Sequence, residues 1–305
     1  MGNYFLRRTA QMVFVIWGVV TMTFFIIRLI PGDPARLMEP PGTPESIIIS
    51  IREKLGTDKP IPVQYVDFLR GLPQGDLGKS FRGGRPVAEI VRAKLPNTLL
   101  LGFVTICVAT ILGTLIGIAA AMRQNGFIDR AVLLFTSLAL ATPNFWLGVI
   151  LVLVFSIQLR WLPAIDMTGP ESFVLPVTTL SVVLLPLLVR TTRQGFIDAL
   201  GDDFVRAARA RGLPERRVIL LHVMKVAAIP LVTLVGMQAG FVLGGAVVVE
   251  SIFNWPGIGN LALQSIQARD FPVVQGCVLI MGVVFVVVNF VVDMTYVFLD
   301  PRIKY

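Results

Sequence analysis

Charged residues are scarce in this chain. Only 15% of its 305 residues are Asp, Glu, Lys or Arg, and 55% are hydrophobic, whereas a soluble domain carries about 25% charged residues. Histidine and cysteine are scarcer still: His222 stands alone, and Cys107 and Cys277 both lie inside apolar blocks. Such a set excludes an ordinary zinc or iron–sulfur centre and any disulfide framework. A phosphate-binding loop is missing as well. Gly75-Asp76-Leu77-Gly78-Lys79-Ser80 looks like part of one, but its first glycine, five residues before Gly78, is Pro73, so a turn is the simpler reading. No internal repeat is evident, and the apolar blocks hold almost no Asp or Glu at mid-length. Those absences argue against an inverted-repeat secondary transporter or an ion-coupled channel. An intramembrane enzyme would need paired Asp or Ser/His in the spans, and none is seen; a surface helix suits His222 better than a catalytic role. The net charge of +8 comes without an aromatic–basic pattern of RNA-binding type, so nucleic acid is not the expected partner.

What the chain has instead is long apolar blocks. Blocks of 18 or more residues cross ~30 Å of hydrocarbon at ~1.5 Å per residue. Six are expected, at 9–30, 97–121, 131–157, 173–189, 227–249 and 274–299, the fourth containing Pro176 and Pro186. The first follows Arg7 and Arg8 and has no A-x-A-like cleavage site after it, which points to an uncleaved helix rather than a signal peptide. Arg28 near its end is expected to snorkel to the interface. The fold class that follows is an all-α integral membrane protein with six transmembrane helices and a small insertion after the first.

That insertion, residues 31–96, mixes ten Lys/Arg with eight Asp/Glu and is rich in Gly and Pro. Short amphipathic helices are expected at 44–55, 62–72 and 86–95. The rest divides into an N-terminal segment with the first span (1–30), a five-helix core (97–299) containing a basic segment at 190–226, and a tail (300–305). Short loops decide orientation. Arg7, Arg8, Arg123, Arg130, eight basic residues between Arg190 and Lys225, Arg302 and Lys304 fall on one side, against only Arg160 and Arg269 in the short loops of the other. The positive-inside rule then puts both termini in the cytoplasm and the insertion outside. An insertion longer than about 60 residues translocates regardless of its own charge.

Residues 190–226 carry the most information. Asp202 or Asp203 is placed to N-cap a short helix over 204–211. Gly212 suits the left-handed position that ends it. Pro214 fits the first turn of a second helix, with Glu215 near its positive end. The expectation is helix, glycine turn, helix at the membrane surface. Ala207, Ala208 and Ala210 allow close backbone approach to another protein, while Arg206 and Arg209 could fork onto its carboxylates.

The pattern Ala207-Ala208-x-x-x-Gly212 resembles the cytoplasmic loop by which permease subunits of bacterial ABC importers engage their ATPases. Further motifs resemble the peptide/nickel branch of that family: Pro31-Gly32-Asp33-Pro34, Gly75-Asp76-Leu77-Gly78, Leu95-Pro96-Asn97-Thr98, Ala141-Thr142-Pro143, the run Phe204-Val205-Arg206-Ala207-Ala208-Arg209-Ala210-Arg211-Gly212, Phe253-Asn254-Trp255-Pro256-Gly257-Ile258-Gly259, Arg269-Asp270-Phe271-Pro272 and Asp300-Pro301-Arg302. They span nearly the whole chain in order. Two departures stand out. Arg206 occupies the place of a Glu in the general importer pattern, and the distance from Gly212 to Pro230 is longer, so no salt bridge of that Glu carries over.

The resemblance implies a type I ABC importer permease fold in the bacterial inner membrane. It implies a non-catalytic subunit with no cofactor of its own, ATP and Mg being held by two partner ATPases. It further implies a homologous second permease and an extracytoplasmic substrate-binding protein. Substrates in such a branch include dipeptides, oligopeptides, glutathione, opines and nickel chelates. Three features remain open between function and packing. Glu250, at the edge of the fifth span, is an interface anchor or a lining or gate residue of the pathway. Gln238, mid-span, packs helices or lines a pore. The turn carrying Phe253, Asn254 and Trp255 is an outer gate or an interfacial belt. Gly236, Gly240, Gly244 and Gly245 suggest close helix packing.

Overall fold

Residues 2–29, 35–36, 42–164 and 169–299 are described by the computed structural model. The motifs Pro31-Gly32-Asp33-Pro34 and Asp300-Pro301-Arg302, together with Lys304, lie outside the described residues. Among those described, the chain is helical apart from turns and one isolated antiparallel bridge, Lys79 to Pro86. The helices are α1 (Gly2–Leu29), α2 (Glu45–Leu55), α3 (Ile61–Gly71), α4 (Val87–Met122), α5 (Phe127–Ala141), α6 (Asn144–Gln158, ending in a π-helical turn), α7 (Val174–Gly201), α8 (Asp203–Ala210), α9 (Glu215–Ile252), α10 (Ile258–Gln267) and α11 (Phe271–Leu299).

Five helices are long and apolar enough to cross a membrane, those in α1, α4, α7, α9 and α11, and the α5–α6 pair makes a sixth if counted as one span. That pair occupies the expected third span and bends sharply within it. α5 and α6 meet at 100°. Thr142 there is extended, with φ −89° and ψ 119°, because the residue before a proline is driven out of the helical region.

Elsewhere the expected breaks are absent. The helix predicted at 86–95 and the second span fuse into the 36 residues of α4, running through Pro96. α7 continues past the expected end at 189 to Gly201, and α9 runs from Glu215 through Pro230 to Ile252. A proline removes only its own N–H bond, and membrane helices tolerate that where neighbours or water satisfy the freed carbonyl. The second helix of the basic segment is therefore the start of the fifth span, not a separate surface helix. Residues Val218–Val223 within it form a π-helical stretch, a feature frequent at functional positions.

The described residues group into two compact units. One comprises residues 1–98 and 256–287. Here Phe24 is fully buried and its ring meets those of Tyr65 and Phe68 at 5.1 and 5.6 Å, so α3 is seated on α1. The Thr21 and Tyr65 hydroxyls are 2.7 Å apart. Arg28 does not simply snorkel: its guanidinium lies over the Phe24 ring and its Nε donates to Gln64 Oε1 at 3.0 Å. Val87, Val91, Ile258, Ala262, Val273 and Cys277 form a second core between α4, α10 and α11. Gly75 and Gly78 both have positive φ, and Asp76 Oδ1 accepts from the Gly78 N–H at 2.9 Å; the segment is the turn that its residues suggested.

The same unit explains several family motifs as clasps. Asn97 Nδ2 donates to the Pro256 carbonyl at 2.9 Å, and the Ile258 N–H donates to Thr98 Oγ1 at 2.8 Å. The Asp270 carboxylate is buried and accepts from the Ser80 hydroxyl and from the Phe81 N–H. Arg82 Nε donates to the Ala268 carbonyl at 3.1 Å.

The second unit comprises residues 99–255 and 288–305. α7 is its centre, packed on α5, α6 and α9. α4 approaches it closely as well. A Cβ added at Gly113 would lie 2.7 Å from Leu188 Cβ, and one at Gly117 would lie 2.8 Å from the Val189 carbonyl oxygen. This Gly-x-x-x-Gly pair lets the helices approach closely. The expectation for 236–245 holds only in part: Gly236 and Gly240 are buried, but nothing lies within 4 Å of a Cβ built at Gly244.

Candidate functional site

α8 is a two-turn helix between two breaks. Asp202 occupies its N-cap position with extended backbone, yet its side chain makes no capping bond, contrary to expectation. Pro214 stands at the N-cap of α9 rather than in its first turn. The other end is as the sequence suggested. Gly212 has φ +75°, its N–H donates to the Arg209 carbonyl at 2.9 Å, and the Leu213 N–H donates to the Ala208 carbonyl at 3.3 Å. These are the two bonds of a Schellman motif, completed by Leu213 packing on the cluster that holds Ala208.

Burial splits the nine residues of the segment. Val205 and Ala208 are buried against Phe196, Ala199, Val218, Val223 and Ala227. Phe204, Arg206, Ala207, Arg209, Ala210, Arg211 and Gly212 are exposed. Ala208 is thus an internal anchor, not an exposed docking residue. Of these, Phe204, Ala207 and Arg211 share one face by i, i+3, i+7 spacing. Neither expected arginine is free. Arg209 forks onto Glu215 of its own chain at 2.6 and 3.1 Å, and Arg206 lies 3.3 Å from Asp203. Donating these hydrogen bonds to the Glu215 carboxylate raises the Arg209 guanidinium above its ordinary pKa, and the pair braces the turn around Gly212.

At the other end of α9 the open alternatives narrow. Glu250 is completely buried, so it is not an exposed interface anchor. Phe253 and Trp255 are buried too, and Trp255 meets Phe173 edge-on at 4.6 Å. They belong to a core with Leu101, Leu175, Val177, Leu180 and Val249, so the Trp255 ring faces its own chain. Asn254 alone projects from the turn, at φ +46°. Gln238 Nε2 reaches the Leu184 carbonyl at 3.5 Å, a helix-packing contact between α9 and α7.

One pair was missed by sequence reasoning. Asp129 is 1% exposed and takes both guanidinium N–H groups of Arg193, one at 2.7 Å, and also the Asn125 N–H at 2.8 Å. Arg190 adds bonds to Thr136 Oγ1 and Ser137 Oγ at 3.3 and 2.9 Å. Together they strap α5 to α7. The available signal was that Asp129 is the only carboxylate between Glu89 and Asp166. Among the described residues no group of three His, Cys, Asp or Glu side chains could hold a metal ion.

A set of apolar spans carrying an exposed helix braced on their ends is the architecture of a multi-pass membrane protein. Residues 113–305 match the family described as binding-protein-dependent transport system inner membrane component, and residues 1–102 match its N-terminal region; the chain belongs to this family. Among relatives, the glutathione transport system permease protein GsiC of Pectobacterium atrosepticum is 39% identical, that of Salmonella typhimurium 38% and that of Escherichia coli strain K12 37%, each over the full length of both chains. In fold, the chain is similar to the inward-facing MetNI methionine ABC transporter, with TM-score 0.56 and 16% identity over 69% of this chain and 96% of that one. An amino acid ABC transporter gives TM-score 0.51 and 18% identity over 68% and 93%. The protein is a non-catalytic, multi-pass inner membrane permease subunit of an ABC importer, with the type I fold.

Proposed function

We propose that the chain forms half of a translocation pathway for glutathione or a closely related short peptide. A homologous second permease supplies the other half, two cytoplasmic ATPases carry ATP and Mg, and an extracytoplasmic binding protein delivers the substrate. The observation that carries the substrate class is 37–39% identity, end to end, with permeases of glutathione transport. The segment Phe204–Gly212 is the ATPase-coupling element. α8 rests on the end of α7 and the start of α9, so pushing it tilts both. Asn254 and Gln238 remain candidates for the pathway or its outer gate; Glu250, Phe253 and Trp255, buried beside Asn254, hold the turn that carries it. The working division is an insertion at 31–96, a core at 97–299 and a tail at 300–305.

Uptake of labelled glutathione into cells expressing the whole transporter tests the substrate. Accumulation should require intact ATPase subunits and should be competed by unlabelled glutathione more strongly than by free glutamate or cysteine. Uptake that persists without the ATPases and follows the membrane potential would instead favour a secondary transporter.

Orientation has its own test. Both termini are assigned to the cytoplasm, so single cysteines at Arg123 and Arg217 should resist an impermeant thiol reagent in intact cells. Cysteines at Asp76 and Asn254 should react with it. All four positions are exposed. Labelling at 217 from outside would reverse the topology.

A further inference from the structure

A groove in the first unit belongs to neither the coupling helix nor the outer turn. It lies among α1, the start of α4, α11 and the turn after α3, and encloses about 340 Å³, within the roughly 300–1,000 Å³ of small-molecule sites. Eleven of its twelve lining residues are apolar or glycine, and the twelfth is Arg92. Ile16, Val20, Ile280 and Val283 come from apolar spans, while Leu72 and Gly75 come from the polar insertion. The groove therefore runs from the polar layer into the hydrocarbon. Arg92 is exposed on α4 and forms no hydrogen bond or ion pair with any described residue. Glu89, one turn earlier, does not pair with it, and Asp76 on the facing turn accepts from the Gly78 N–H.

We propose that this groove is a binding site for one anionic phospholipid, an acyl chain lying on the apolar wall and Arg92 forked onto the headgroup phosphate. Two physical facts carry the assignment. An apolar groove open to a bilayer is filled by the apolar solvent at hand, and a planar guanidinium matches phosphate in two-point fashion while its positive charge favours a headgroup of net negative charge. A single charge in an otherwise apolar groove matches a lipid and not a free phosphate ion, which would leave the remaining wall unused.

The test is native mass spectrometry of the whole purified transporter, washed with detergent and then offered phosphatidylglycerol or phosphatidylcholine. The intact protein should retain one phosphatidylglycerol assignable to this chain, at least tenfold more than phosphatidylcholine. Arg92→Gln should lose that preference and Arg92→Lys should keep part of it. Ala88→Phe, which fills the groove without touching the charge, should lower retention of both lipids. Millimolar inorganic phosphate should not compete. Co-purification of the other subunits with each variant checks assembly. Unchanged retention in both Arg92→Gln and Ala88→Phe overturns the proposal. So does a photo-crosslinking residue at Val283 that captures another subunit instead of lipid, since the groove would then be a protein contact.

Discussion

Arg193→Met is expected to disable the transporter more severely than any single substitution on the surface of α8. Asp129 is shielded almost completely, with 2% of its side chain exposed against 15% for Arg193. Removing the arginine leaves a buried carboxylate with only the Asn125 N–H; removing the carboxylate leaves an arginine that can turn partly to solvent. Breaking a buried pair from one side costs about 3–5 kcal/mol. Arg193→Met belongs at the upper end of that range and Asp129→Asn at the lower. Thermal unfolding in detergent should show both losses, in that order. The double variant Asp129→Leu/Arg193→Met should regain most of the stability, because two apolar side chains carry no desolvation penalty. Uptake should not return with it, since the strap between α5 and α7 is gone. Equal stability of all three variants and the parent would show that the pair holds nothing.

How the pair escaped sequence reasoning is instructive. Asp129 sits in the third position of α5, and Arg193 lies 64 residues later on α7. Local signals name each residue as a loop or interface charge; only the packing of two helices brings them together. The same limit explains Phe253 and Trp255. Their motif was legible, but a Pro/Gly turn with two aromatics has the same composition whether its rings face lipid or fold back onto Phe173. Hydrophobic block length, by contrast, is a property of the chain alone, so the spans could be placed within a few residues wherever proline did not mislead. Pro96 and Pro230 look like terminators and are not, while Pro143 is. The difference lies in the neighbours: Thr142 leaves the helical region and the others do not. Gly113 and Gly117 were as visible as the glycines of α9, and a small-x-x-x-small test on every span would have ranked them alongside.

The coupling role assigned to α8 makes the second large prediction, and burial separates it from a trivial loss of fold. Ala207 is exposed, whereas Ala208 is buried beside Val205 and Phe196. An added indole costs about 1–3 kcal/mol where it overpacks a contact, which is about one to two decades in a docking equilibrium. Ala207→Trp should therefore leave expression and thermal stability unchanged while the ATPases dissociate and uptake stops. Ala208→Trp should lower the stability of the subunit itself, with docking lost as a consequence. Gly212→Val supplies a third arm. Nothing lies within 4 Å of a Cβ at that position, so its effect is purely on the backbone: a left-handed conformation costs an L-residue about 1–2 kcal/mol. The Schellman bonds should open and the Arg209–Glu215 brace should loosen. Gly212→Asn should be milder, because asparagine tolerates this conformation. The measurements are co-purification of the ATPases, ATP hydrolysis by the assembled transporter and substrate uptake. If Ala207→Trp keeps its ATPases and full transport, α8 is not the docking element, whatever Ala208→Trp and Gly212→Val do to the fold.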